Sequence, residues 1–166
     1  LAASTKYHGA LACLAIVAAH LSSRRPLSDR RLWIAGAVTI AVFVAGSPYT
    51  VLTPGAFLEG FGGLVTHART GLSDLGPGWV HHVLFSLRVN LGWPGLALLV
   101  AGLALAMRGS DGRGWVLGAG FLGYYLVVGV SPLVFARYAL PMAMLQCVLA
   151  AGACEWIARR AAAPPL

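Results

Sequence analysis

Charge is what this sequence has least of. Of its 166 residues, 10% are Asp, Glu, Lys or Arg, against 58% hydrophobic, with a mean hydropathy of +0.78. Soluble domains carry roughly 25% charged residues. So few charges do not cover the surface of a water-soluble fold. Disorder, which needs low hydrophobicity and high charge, is excluded by the same figures. The excess apolar surface calls for lipid as its solvent. Acidic residues are scarcest, 5 against 12 Lys and Arg, for a net charge of +7. The basic residues lie between apolar runs and gather into no patch. The surplus therefore reads as positive loops on the cytoplasmic side of a membrane, not as a nucleic-acid footprint. Cysteine is rare too. Cys13, Cys147 and Cys154 form no CxxC pair, fall inside apolar runs, and read as buried small hydrophobes. No G-x-S-x-G, HExxH or Walker A pattern occurs, nor a GxGxxG in its proper context. His81 and His82 are adjacent, so on a helix they point about 100° apart and do not converge on one metal. Neither a metal nor a cofactor is expected. The chain begins at Leu1 with no basic stretch ahead of its first apolar run, and it reads as a piece of a longer protein, one membrane domain over 1–166.

What is present is a series of five apolar runs: Ala3 to Leu21, Leu32 to Tyr49, Leu91 to Met107, Trp115 to Val130 and Tyr138 to Ile157. Each is at or slightly below the ~20 residues that cross a ~30 Å hydrocarbon core. They are rich in Ala, Leu and Gly and lack period-2 alternation, which excludes a barrel. The expectation is an all-α, polytopic bundle of about five membrane helices. If the runs alternate in direction, Arg24, Arg25, Arg30 and Arg31, then Arg108 and Arg113, then Arg159 and Arg160 all fall on one side. That side is cytoplasmic by the positive-inside rule. Trp33, Trp93, Trp115 and Trp156 sit at run ends, as interfacial anchors do. The stretch Ser47 to Asn90 is then extracytoplasmic. Within it, Val80, Val83, Leu84 and Leu87 at helical spacing predict a short interfacial helix from Trp79 to Val89. Gly92, Trp93, Pro94 and Gly95 would break the chain before the next run. Gly60 to Gly63 and Gly71 to Gly78 read as flexible connections.

The chemistry-bearing candidates are the outer cations. Lys6, Arg69, Arg88 and Arg137 break the positive-inside pattern, and only Glu59 and Asp74 oppose them on that side. Lys6 and Arg137 each sit where an apolar run meets the outer surface, each followed by a tyrosine, Tyr7 and Tyr138. Cations beyond the reach of carboxylates there fit an outside anion such as a lipid phosphate; snorkelling to ordinary headgroups is the plainer alternative. Pro48, Pro132 and Pro141 mark irregular backbone at outer membrane depth, which is tolerated where protein buries it or water reaches it. A cavity open to the outside follows, with simple helix termination as the alternative.

Three segments carry a resemblance: Ala2-Ala3-Ser4-Thr5-Lys6-Tyr7, then Gly46-Ser47-Pro48-Tyr49 with Phe57 behind it, then Phe135-Ala136-Arg137-Tyr138-Ala139-Leu140-Pro141. In order and topology these resemble the later part of bacterial polyprenyl-phosphate-dependent glycosyltransferases of the GT-C membrane fold, the group of protein O-mannosyltransferase-like enzymes and the lipid A aminoarabinose transferase. The resemblance implies transfer of a sugar from a polyprenyl-phosphate donor in the outer leaflet of the bacterial inner membrane to an acceptor. It implies that Lys6 and Arg137 bind the donor phosphate, and that Tyr7, Pro48, Tyr49 and Tyr138 line the cavity. The family's acidic residue lies in an outer loop nearer the N-terminus, with no counterpart in this chain, so no catalytic residue is assigned. A transporter or flippase and a non-catalytic membrane scaffold are the competing readings.

Overall fold

The computed structural model describes residues 7–70, 78–109, 112–132 and 134–162. Among these the chain is helical throughout, without strands. A 3₁₀ turn, Tyr7–Ala12, leads into α1, Cys13–Ser22. Then come α2, Arg30–Gly46; α3, Tyr49–Leu52; and α4, Pro54–Thr70. After residue 77 follow α5, Gly78–His81, a π turn over His82–Leu87, and α6, Arg88–Arg108. The last two are α7, Gly112–Gly129, and α8, Ala136–Ala161.

The described parts of the five apolar runs are largely helical, but the expectation of about five membrane helices is not supported. Among the described residues, two helical stretches are long and apolar enough to cross a membrane, Gly78–Arg108 and Arg137–Ala161. The others fall short for visible reasons. The apolar stretch Ala10–Ser22 is short. The 17-residue α2 spends its first turn on Arg30 and Arg31. In α7, Arg113 and many glycines dilute the run.

The helix ends follow local chemistry. Asp29 caps α2, accepting the Arg31 backbone N–H at 2.9 Å. That bond, with Arg25 at 3.2 Å, holds the Asp29 carboxyl below the usual carboxylate range. Trp156 lies under the Arg160 guanidinium at 4.3 Å and Trp93 under that of Arg88 at 5.4 Å, so two of the expected anchors carry a cation.

The core is a cluster of Leu87, Leu99, Phe121, Tyr124, Val128, Ala139, Met142 and Leu149, where α6, α7 and α8 meet the π turn. Glycines set the approach of these helices, as small residues do wherever helices pack closely. A Cβ on Gly102 of α6 would run into the backbone carbonyl of Leu149 on α8, and one on Gly114 of α7 would lie 3.1 Å from the Ala106 backbone on α6. Gly129 packs under the Trp79 ring, and the Tyr125 hydroxyl donates to the Trp79 carbonyl at 2.8 Å.

Three local expectations are corrected. Gly60 to Gly63 do not form a flexible link. They lie inside α4, where Phe57 and Phe61 stack one turn apart at 6.2 Å. The Trp79–Val89 segment does not lie free at an interface. Its Leu87 and His82 are fully buried, because the π turn packs on α8. Cys147 and Cys154 are exposed on α8 and Cys13 is half-buried, so the cysteines are not the buried hydrophobes expected. The break at Gly92 is real: its φ is +68°, a backbone that glycine alone adopts freely. Residues 71–77 of the other expected connection lie outside the described residues.

Candidate functional site

Arg137 is the second residue of α8 and is exposed. Its guanidinium lies 4.6 Å from the Phe135 ring centre and 5.5 Å from that of Tyr138. The two rings meet edge to face at 5.6 Å. Two neighbouring aromatic faces hold the side chain near the helix start without neutralising it. Neither ion pair among the described residues involves Arg137; they join Arg25 to Asp29 and Arg159 to Glu155. A helix N-terminus carries partial positive charge, so a cation there is disfavoured unless an anion comes near.

Pro141, read as a point of irregular backbone, lies within α8, and the helix continues through it. Having no N–H, it cannot make the helical bond to the carbonyl of Arg137, so proline acts here on one bond and not on the path of the chain. Pro48 caps the four-residue α3, where Tyr49 is 71% exposed. That helix packs chiefly on α2 and α4, so Tyr49 and Pro48 are not gathered with Arg137 and Tyr138. Tyr138 packs against the core cluster. Lys6 lies outside the described residues, as does the side chain of Tyr7.

A groove of about 490 Å³ begins two residues beyond Arg137. Ala139, Leu140 and Ala143 of α8 form one wall, and His81, Phe85, Ser86, Val89 and Asn90 form the other. None of Pro48, Tyr49 and Tyr138 lines it. Behind the groove runs a polar seam that the sequence reading missed. Gln146 of α8 is fully buried and donates to the Leu87 carbonyl at 3.2 Å. Asn90 donates to the Gln146 side-chain oxygen at 3.2 Å. The chain contains one asparagine and one glutamine, and they bond each other. Gln146, a lone amide inside the last apolar run, was the available signal, since buried amides need partners. His82, also fully buried, shares a hydrogen bond with Ser86 at 3.0 Å between Nδ1 and Oγ. Two buried nitrogens have no partner among the described residues, His82 Nε2 and His81 Nδ1. An unmade bond at such an atom costs about 1–3 kcal/mol.

The seam gives a direct stability test. Gln146→Leu keeps the volume but leaves the Leu87 carbonyl without its side-chain donor and the exposed Asn90 amide without its Gln146 acceptor. The variant is expected to lose about 1–3 kcal/mol of stability, read as a lowered unfolding midpoint in detergent. An unchanged midpoint would show that the seam is not a holding contact.

No group of three or more His, Cys, Asp or Glu able to hold a metal occurs among the described residues. His81 and His82 turn their rings 84° apart, with centres 6.0 Å apart. In comparisons with known proteins, no family model, no curated protein and no solved structure matches the chain.

Proposed function

We propose that this chain is the donor-phosphate half of a multi-pass membrane glycosyltransferase that takes a sugar from a polyprenyl-phosphate carrier on the extracytoplasmic side of a bacterial inner membrane. The observation that carries the reading is Arg137, exposed at the start of α8, lying over two neighbouring aromatic rings and paired with no carboxylate among the described residues.

Membrane embedding is supported by the surface. Val100 on α6 and Leu140, Met144 and Val148 on α8 are exposed, on the two helices long enough to span a bilayer. On α2, Ile34, Val38 and Ile40 are exposed, and the helix buries no residue. Contiguous apolar surface of this kind needs lipid or another protein against it. The five-run topology, with its arginine links on the cytoplasmic side, belongs to the same proposal and places Arg137 on the outer side.

In the reaction, an acceptor oxygen bonds to the sugar's anomeric carbon as the bond from that carbon to the phosphate oxygen breaks. Polyprenyl phosphate leaves with the electron pair, and the acceptor proton passes to a base supplied by the rest of the enzyme. Charge rises on the departing phosphate, and a guanidinium beside it stabilises the transition state more than the ground state. Arg137 takes that role, with Lys6 as its partner.

Binding tests the reading. Polyprenyl monophosphate in nanodiscs is expected to bind the full-length protein at least tenfold more weakly after Arg137→Gln, while the uncharged polyprenol binds both forms equally poorly. Equal binding of the phosphate by the two forms would remove the basis for the proposal.

A further inference from the structure

We propose that the groove between the π turn and α8 is a separate binding site for a membrane lipid whose uncharged head carries hydroxyl groups. The lining divides into two chemistries. Phe85, Val89, Leu140 and Ala143 are apolar, while His81, Ser86 and Asn90 are polar, and no acid, lysine or arginine is among the lining residues. A charged head therefore finds no counter-ion in the groove, and a purely apolar tail leaves three polar side chains facing it.

The polar set is of one kind. Imidazole, hydroxyl and carboxamide each both donate and accept, as a ligand hydroxyl does. Two of the three are already oriented from behind: Ser86 by His82, and Asn90 by the fully buried Gln146. His81 is held by its ring, stacked on Phe85 with centres 4.8 Å apart, while its buried Nδ1 has no partner among the described residues. The groove also lies on a π turn, a rare element that recurs at functional sites because its widened backbone re-aims side chains. The ligand comes from the bilayer, since both walls belong to the two helical stretches apolar enough to span it.

The test uses full-length protein in phosphatidylcholine nanodiscs and a fluorescent monoglucosyl-diacylglycerol as probe. Saturable binding is expected, weakened at least tenfold by His81→Phe, which keeps the stacked ring and removes both nitrogens. Leu140→Trp, a change at a 61% exposed position that fills the groove from its rim, is expected to weaken it as much. Unlabelled glucolipid should displace the probe at least tenfold better than diacylglycerol or phosphatidylglycerol. Thermal unfolding shows whether each variant is folded; should His81→Phe fail to fold, Leu140→Trp decides. Unchanged affinity in folded variants, or equal displacement by diacylglycerol, would overturn the proposal.

Discussion

Replacing Gly102 by leucine is expected to leave no correctly packed protein, whereas Gly152→Ala, on the partner helix, should raise stability. Gly102 is buried, and the space its Cβ would need is held by the Leu149 carbonyl. That obstacle is backbone in the middle of α8, and no rotamer change relieves it. Alanine at 102 already forces α6 and α8 apart, at a cost of about 1–3 kcal/mol or somewhat more. Leucine adds a branched side chain to the same clash and uncouples two of the three helices that form the core. Gly152 meets nothing within 4 Å. Alanine there adds no clash and removes the entropic cost of a glycine inside a helix, about 0.5–1 kcal/mol. Thermal unfolding in detergent with size-exclusion chromatography measures both. Equal midpoints for wild type and Gly102→Ala would mean that the helices are not in backbone contact at this point.

Arg137→Ala is expected to lower sugar transfer by the full-length enzyme by about 10²–10³-fold, with normal expression and an unchanged unfolding midpoint. That is the usual effect of removing one group aimed at charge developing in a transition state. Stability should be indifferent, because the side chain is exposed and lies over the faces of Phe135 and Tyr138. Arg137→Lys should fall between the two, since it keeps the charge and loses the planar fork that grips two phosphate oxygens. Transfer by Arg137→Ala at the wild-type rate would return the residue to simple snorkelling, and the scaffold reading would then hold.

The helical class and the position of every apolar run were legible in the sequence, because runs rich in Ala, Leu and Gly with no alternation admit little else. What failed was reading glycine as punctuation. Gly60, Gly62 and Gly63 looked like a loop, yet Phe57, Phe61 and Leu64 recur at helical spacing through them, and that periodicity won. At Gly92 the opposite held, because there, alone among the described glycines, the backbone takes a conformation that other residues avoid. Among the described residues two runs reach spanning length, because α2 stops at 17 residues and Arg113 with the glycines dilutes α7. At the candidate site, Arg137 with Tyr138 was visible as a charge at a run boundary. The amide seam was not found, since Asn90 and Gln146 lie 56 residues apart and each alone carries no pattern. The spacing of Val80, Val83, Leu84 and Leu87 was read on one regular helix, which the π turn is not.

That turn makes the helical stretch from Gly78 to the break at Gly92 a screw whose thread changes phase partway along. An ordinary helix advances about 100° per residue, so one extra residue taken up in a turn rotates the face before it by that much against the face after it. Upstream, Trp79 is aimed at Gly129 and Tyr125 of α7; downstream, Leu87 and Asn90 are aimed at Gln146 of α8. One continuous element thus serves two neighbours that no single stripe of side chains reaches, as a key is cut on two edges.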